Sequence, residues 1–428
     1  MKKNIGVYGL WHLGCVLCAS WSKLGNNVIG FDYNSSTIKH LNKGITPIYE
    51  PGLAETINAG LRNKTINFSN DISSLSSCDF IFLSYDTPVL ENDLSDTGIL
   101  EKSVEDVRNV MKNESVLVVS SQSPVGLCAR LRLKLKEKNS YIDLAYSPEN
   151  LRLGNAIQCY LNPERIILGT SESRTKEKCS DLFSQIKSKI YAMNLESAEL
   201  VKHGINSFLA MSIVFINHLA DICEYSDARI EDVTLGMKSD PRIGEKAYLS
   251  PGIGFSGGTL GRDLRVLEQK NLEKNGNANI FGIVHELNNE RKYSIVRRVE
   301  NILGQASGNT IGILGVTYKP GTSTLRRSLP LEIVEFLLSR KNRVKVYDPK
   351  ADYSELPSEL RFTIASTIED ASTSADILIL LTEWEEFKNY DWEKVPKRMK
   401  KAIFFDTKNF LNENKMTLYG FKYYSIGR

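Results

Sequence analysis

The chain has 428 residues, 42% hydrophobic and 25% charged, with 29 Gly and 13 Pro. That is globular composition with room for about three domains, and it excludes a disordered tail, a collagen-like fibre and a small disulfide-stapled module. Lys+Arg 54 against Asp+Glu 51 leaves a formal charge of +3, too balanced for a nucleic-acid binder. No apolar run reaches the roughly 18 residues of a membrane span.

Taken in chain order, the first stretch alternates short β-rich runs with helical ones. Its strand candidates are residues 4–8, 27–31, 80–83, 115–119 and 165–168. Near-continuous apolar strands separated by helices predict a parallel sheet covered on both faces. From about Leu195 to Glu300 no strand is legible; apolar residues at helical spacing over Ser197–Tyr225 predict a long helix, followed by a glycine-rich loop and another helix. From about Ser307 the β/α alternation restarts, with strands expected at 310–316, 343–347, 376–381 and 402–405. The expected fold class is α/β. Two Rossmann-like doubly wound parallel-sheet domains, 1–194 and 301–428, are joined by a central helical domain, 195–300, with a long spine helix. The start Met1-Lys2-Lys3 resembles a signal peptide, but Trp11, His12 and the polar pattern after them break it. Seven cysteines with a single C-x-x-C suit a reducing compartment, so the expected location is cytoplasmic.

Strand, then Gly9-Leu10-Trp11-His12-Leu13-Gly14, then helix, then a second strand closed by Asp32 is a dinucleotide-binding layout. The tight turn brings backbone N–H groups and a helix N-terminus against a pyrophosphate. A carboxylate about twenty residues on takes the adenosine ribose hydroxyls and favours NAD over NADP. Trp11 stands where G-x-G-x-x-G has its middle glycine, the residue that lets the backbone approach the phosphates, so the indole is expected to crowd the cofactor.

Further blocks follow in order: Tyr85-Asp86-Thr87-Pro88, Ser121-Gln122-Ser123-Pro124-Val125-Gly126, Ser147-Pro148-Glu149-Asn150-Leu151-Arg152, Asp240-Pro241-Arg242-Ile243-Gly244, Tyr318-Lys319-Pro320-Gly321-Thr322 with Leu325-Arg326, and Thr382-Glu383-Trp384. Along essentially its whole length the chain resembles the UDP-glucose/GDP-mannose dehydrogenase family. Those enzymes oxidise C6 of a nucleotide sugar twice, using two NAD and a cysteine thiohemiacetal. The resemblance implies cofactor contacts at Thr87 and Gln122, and catalytic roles for Lys202, Asn206, Asp263 and Glu149. Lys202 and Asn206 hold the substrate, Asp263 orders the water or acts as base, and Glu149 attends the sugar. It also implies substrate contacts at Leu151, Phe255, Gly257, Lys319 and Arg326, and a homodimer in which Arg242 reaches the neighbouring subunit's substrate.

The chain departs from the family where the thiol belongs. The catalytic loop, roughly G-x-G-F-G-G-S-C-F-P-K-D in the family, reads Gly252-Ile253-Gly254-Phe255-Ser256-Gly257-Gly258-Thr259-Leu260-Gly261-Arg262-Asp263. Thr259 replaces the cysteine and Arg262 the lysine; Leu153 replaces a glutamate, and Gln122 the threonine of an S-T-V block. A thiol of ordinary pKa near ~8.5 is partly ionised at neutral pH and a hydroxyl is not, so Thr259 needs a dedicated base. His203 and His218 are the candidates. Five glycines between Gly252 and Gly261 permit close backbone approach to a ligand, or a flexible loop. Lys408 stands in Asp406-Thr407-Lys408-Asn409 where the family has arginine, keeping charge without the bidentate fork.

No metal site is expected, since the histidines lack ligand spacing and the cysteines lack a second pair. Cys15 and Cys18 are expected to be buried small residues rather than a redox pair. The expected function is NAD-dependent oxidation of a UDP- or GDP-sugar hydroxyl at C6, stopping at the aldehyde. The alternatives are a non-catalytic nucleotide-sugar binder, four-electron oxidation by a cysteine-independent route, and transient oxidation at another carbon as in epimerases.

Overall fold

A computed structural model describes residues 2–85, 87, 96–148, 151, 154–256, 258–275, 277, 279–356 and 361–428. Two compact units meet within one helix, residues 1–204 and 205–428.

The first unit is built on β1 (Asn4–Tyr8), β2 (Asn27–Phe31), β3 (Ile66–Ser69), β4 (Phe80–Leu83), β5 (Val116–Val119), β6 (Asp143–Tyr146), β7 (Ile166–Thr170) and β8 (Ile190–Met193). They lie in the order β3-β2-β1-β4-β5-β6-β7-β8. Central strands are buried on both faces, and consecutive side chains feed different cores. Phe80 and Phe82 join Ile5, Val7, Val116 and Val118 on one side, while Ile81 and Leu83 join Tyr8, Leu117 and Val119 on the other. That two-sided burial is what an unbroken apolar strand encodes. The sheet is parallel as expected except at one place, where β6 and β7 pair antiparallel, Ala145 opposite Thr170.

The second unit carries β9 (Thr310–Leu314), β10 (Arg343–Tyr347), β11 (Thr363–Ile364), β12 (Ile377–Leu380), β13 (Ile403–Asp406) and β14 (Lys422–Ser425), in the order β11-β10-β9-β12-β13-β14. All pairings are parallel. This is the doubly wound order, whose ligands sit beyond the carboxyl ends of the strands. Helix starts follow local chemistry. Asn34, Asn279 and Ser328 each accept first-turn N–H groups with their side-chain oxygens, and Gly304 at φ 74° ends the helix Ile280–Leu303.

The spine helix runs from Leu195 to Tyr225, crossing the boundary between the units. By length and composition it could cross a membrane, with a mean hydropathy of 1.4 in its most apolar window, 39% of it buried. No uninterrupted apolar run of that length is present in it: polar residues such as Asn206, Ser212 and Asn217 break every run without lowering the average. Core helices of proteins outside membranes pass the same test.

Candidate functional site

The cofactor turn forms as the glycine pattern requires. Gly9, at φ +101°, turns the chain after β1, and its N–H donates to Phe31 O at 3.0 Å. A Cβ on Gly14 would stand 1.8 Å from Gly9 O, so only glycine lets the helix His12–Lys23 pack this close. Asp32 Oδ2 accepts the Leu10 N–H at 2.9 Å and Oδ1 that of Asn34 at 2.9 Å. The acid is half-buried and keeps oxygen lone pairs for ribose hydroxyls.

Trp11 caps the helix with φ −95° and ψ −151°, a β-region conformation open to any residue, and forms no side-chain cap. Its indole is 51% exposed. Trp11 thus stands exposed at the start of that helix, whose N-cap residue supplies no side-chain cap to the first-turn N–H groups. His12 is pinned by Glu50, whose buried carboxylate meets Nε2 at 3.0 Å and accepts the Gly154 and Ala156 N–H groups at 3.0 and 2.8 Å. Leu10 and Leu13 are buried in the core beneath. These residues fit NAD: positive-φ turn, close helix, uncapped first turn, acid at the end of β2.

The loops after β4 and β5 close on each other, Thr87 Oγ1 donating to Gln122 O at 2.7 Å. The spine helix fastens the second of them. Glu199, fully buried, accepts the Gly126 and Cys128 N–H groups at 2.6 and 2.8 Å, and burial pushes its carboxyl above the usual range. His203 Nε2 lies 2.8 Å from Ser123 O, while His218 is exposed. Leu151 is half-buried against the core. Glu149, Leu153, Asp86, Pro88 and Gly257 lie outside the described residues.

In the second unit the structure brings Asn206 and Asp263 together: Nδ2 donates to Oδ2 at 2.5 Å, with Asp263 fully buried. Arg262 Nε approaches Asp263 Oδ1 at 3.8 Å. Lys202 precedes Asn206 by one turn of the spine helix. Thr259 is exposed and is the first residue of the helix Thr259–Asn275. Phe255 packs beside Ala210, Val214, Leu264 and Val284. All seven cysteines are free and none lies in this loop.

The C-terminal motifs converge beyond β9, β12 and β13. Thr382 Oγ1 donates to Thr317 O at 2.7 Å, and Lys408 Nζ pairs with Glu383 at 3.1 Å. A Cβ on Gly252 would touch Thr407 O at 3.4 Å and Lys408 Cδ at 3.6 Å, so the glycine-rich loop abuts this cluster. The turn after β9 repeats the one after β1. Gly315 has φ +82°, its N–H donates to Tyr347 O at 2.8 Å, and Asp348 accepts the Val316 N–H at 2.8 Å. Here, however, Asp348 Oδ2 also accepts from Thr317 N, Thr317 Oγ1 and Trp384 Nε1. It ties loops together, whereas Asp32 remains available to a ribose. Lys319 and Arg326 are exposed, and Glu355 orders the Arg326 loop by accepting the Leu325 and Arg326 N–H groups at 2.7 and 3.1 Å. Arg242 projects into solvent, its guanidinium meeting Asp240 at 2.6 Å.

Sequence reasoning missed Glu50, Glu199 and Glu355. Their signal was a polar residue on an otherwise apolar helix face, or a lone acid in a loop, and neither names its partner.

Three models of one family match in order. The NAD binding domain of the UDP-glucose/GDP-mannose dehydrogenase family covers residues 3–187, its central domain 196–290 and its UDP binding domain 312–413. The UDP-glucose 6-dehydrogenase of Rickettsia typhi is 33% identical over 99% of both chains. The UDP-glucose 6-dehydrogenase TuaD of Bacillus subtilis is 31% identical over 100% of this chain and 93% of its own. Among solved structures, a UDP-glucose dehydrogenase from Pyrobaculum islandicum superposes with a TM-score of 0.87 at 25% identity, covering 100% of this chain and 98% of that one. The chain belongs to the UDP-glucose/GDP-mannose dehydrogenase family. It is an NAD-dependent oxidoreductase of the nucleotide-sugar dehydrogenase class.

Proposed function

We propose that this protein oxidises the C6 hydroxyl of a UDP-sugar of the glucose class once, to the aldehyde. Bound at the Gly9–Gly14 turn and Asp32, NAD supplies the hydride acceptor. The chain's own residues manage the proton and the charge. Asp263 takes the hydroxyl proton through a water, Asn206 holds the carboxylate in line at 2.5 Å, and Lys202 steadies the developing alkoxide. The alcohol carbon loses one hydride and its oxygen one proton, leaving a carbonyl. Glu149, Leu151, Phe255 and Gly257 attend the sugar, Lys319 and Arg326 the phosphates, and Thr87 and Gln122 the cofactor.

The observation that carries this reading is the pairing of an intact Asn206–Asp263 couple with a hydroxyl, Thr259, at the thiol position. The second oxidation needs a covalent adduct or a handled water. Thr259, Leu153 and Gln122 remove the thiol and two water-ordering groups together. Further parts of the reading are a division of labour among 1–194, 195–300 and 301–428, a cytoplasmic location, and pairing of two copies along the spine helix with Arg242 serving the neighbour. The pairing draws on Phe208, Phe215 and Ile222, exposed at seven-residue spacing on that helix. Incubation with UDP-glucose, NAD and hydroxylamine is expected to yield a sugar oxime. Quantitative uronic acid with no oxime would refute the one-step reading; NAD binding with untouched sugar would favour a non-catalytic homologue.

A further inference from the structure

The Gly252–Ser256 segment has no regular secondary structure, yet buried side chains grip its backbone at both ends. Asn217 Oδ1 accepts the Gly252 N–H at 2.7 Å, and Arg291 Nε donates to Gly252 O at 3.0 Å. Asn288 Oδ1 accepts the Phe255 N–H at 2.8 Å while its Nδ2 donates to Phe255 O at 3.1 Å. The three side chains belong to residues only 3–5% exposed. Gly254 lies between the grips at φ +108°, and a Cβ there would stand 2.6 Å from Asn288 Oδ1; glycine is what allows Asn288 to reach the loop. Arg291 Nη1 also takes both Asp221 oxygens at 2.6 and 2.8 Å, so one guanidinium joins spine helix and loop.

We propose that Asn217, Asn288 and Arg291 are positioning residues that hold the Gly252–Ser256 segment in its reacting shape, so that Gly252 and Gly254 serve fit rather than flexibility. Buried amide and guanidinium groups are costly unless paired, and here the Asn217 and Asn288 amides and Arg291 Nε meet loop backbone groups that would otherwise turn to water. The loop is thereby built before substrate arrives, leaving Thr259 and Asp263 at a fixed helix start.

The proposal rests on the proposed function for its kinetic readout alone. Hydrogen exchange of the full-length protein over residues 250–256 is compared among wild type, Asn288→Leu and Arg291→Lys. The lysine keeps a cation beside Asp221 but lacks the Nε donor, and serves if Asn288→Leu fails to fold. Slow exchange in wild type and exchange about fivefold faster or more in either folded variant are expected, the ratio one lost hydrogen bond supports. The variants' kcat should fall while NAD affinity by titration stays unchanged. A fast-exchanging wild-type loop would overturn the proposal, and so would folded variants with unchanged exchange and kcat. If wild type makes no NADH, the proposed function fails, and the exchange result still decides the positioning claim.

Discussion

In the proposed reading Thr259 takes the place of the family's nucleophile, and a hydroxyl there cannot ionise usefully near neutral pH. Thr259→Ala is therefore expected to keep the first oxidation within about threefold of wild type. A fall of a hundredfold or more in NADH formation would make the threonine a nucleophile after all. The cysteines lead to the same place. Six of the seven are buried and only Cys159 is half-exposed; burial pushes the Cys15 thiol up to about 12 and lifts Cys18 and Cys128 well above the ordinary range. Titration of the native protein with a disulfide reagent at pH 8 should find about one reactive thiol, and seven after unfolding. Several fast thiols in the native state would contradict the packing described. At this scale the sequence was most legible where a residue type has one use. Gly9 and Gly14 form the turn and the close helix start, and Asp32 closes the second strand, where the spacing puts them, whereas the exposure of Trp11 was not readable from the pattern.

The spine helix and the helix Ile280–Leu303 are fastened by charges as well as by apolar packing. Asp221 receives Arg291 and Arg298, with Arg298 also meeting Glu224 at 3.0 Å. Burial alone would raise the Asp221 carboxyl; the two guanidinium groups outweigh it and hold it below the usual carboxylate range. A carboxyl depressed in the fold stabilises above its unfolded value near ~3.9, and that contribution is lost as pH falls through the lower folded value. Asp221→Asn would leave the buried Arg291 guanidinium without its carboxylate, while Arg298 keeps Glu224, and should cost about 3 kcal/mol at pH 7. It should also flatten the acid limb of thermal stability below about pH 4. Equal melting curves for the two proteins at pH 7 would refute this. The helix itself was legible from Ser197 to Tyr225, but this network was not. Strands such as β3 and β14 were missed because polar residues, Asn67 and Ser69 in the one and Lys422 and Ser425 in the other, interrupt a run of only four residues.

For the whole molecule, two sheets of the doubly wound kind and a long connecting helix were readable from the alternation of apolar runs, while the antiparallel β6–β7 pair needed tertiary context. Assembly is where the surface carries the argument. Phe208 and Phe215 are 69% and 53% exposed, more apolar area than a helix leaves to water without reason. Phe208→Glu/Phe215→Glu should convert a dimer in solution to a monomer, with a raised sugar KM if Arg242 serves the neighbouring site; an unchanged mass by light scattering would place the contact elsewhere. The chemistry is decided by counting NADH formed per UDP-glucose consumed at completion. One NADH per sugar is the predicted result, since the proposed reading gives Asn206 and Asp263 the first hydride removal and leaves no thiol for the second. Two NADH per sugar would contradict the account, and would mean that Thr259 or an unassisted water does the work of the missing cysteine.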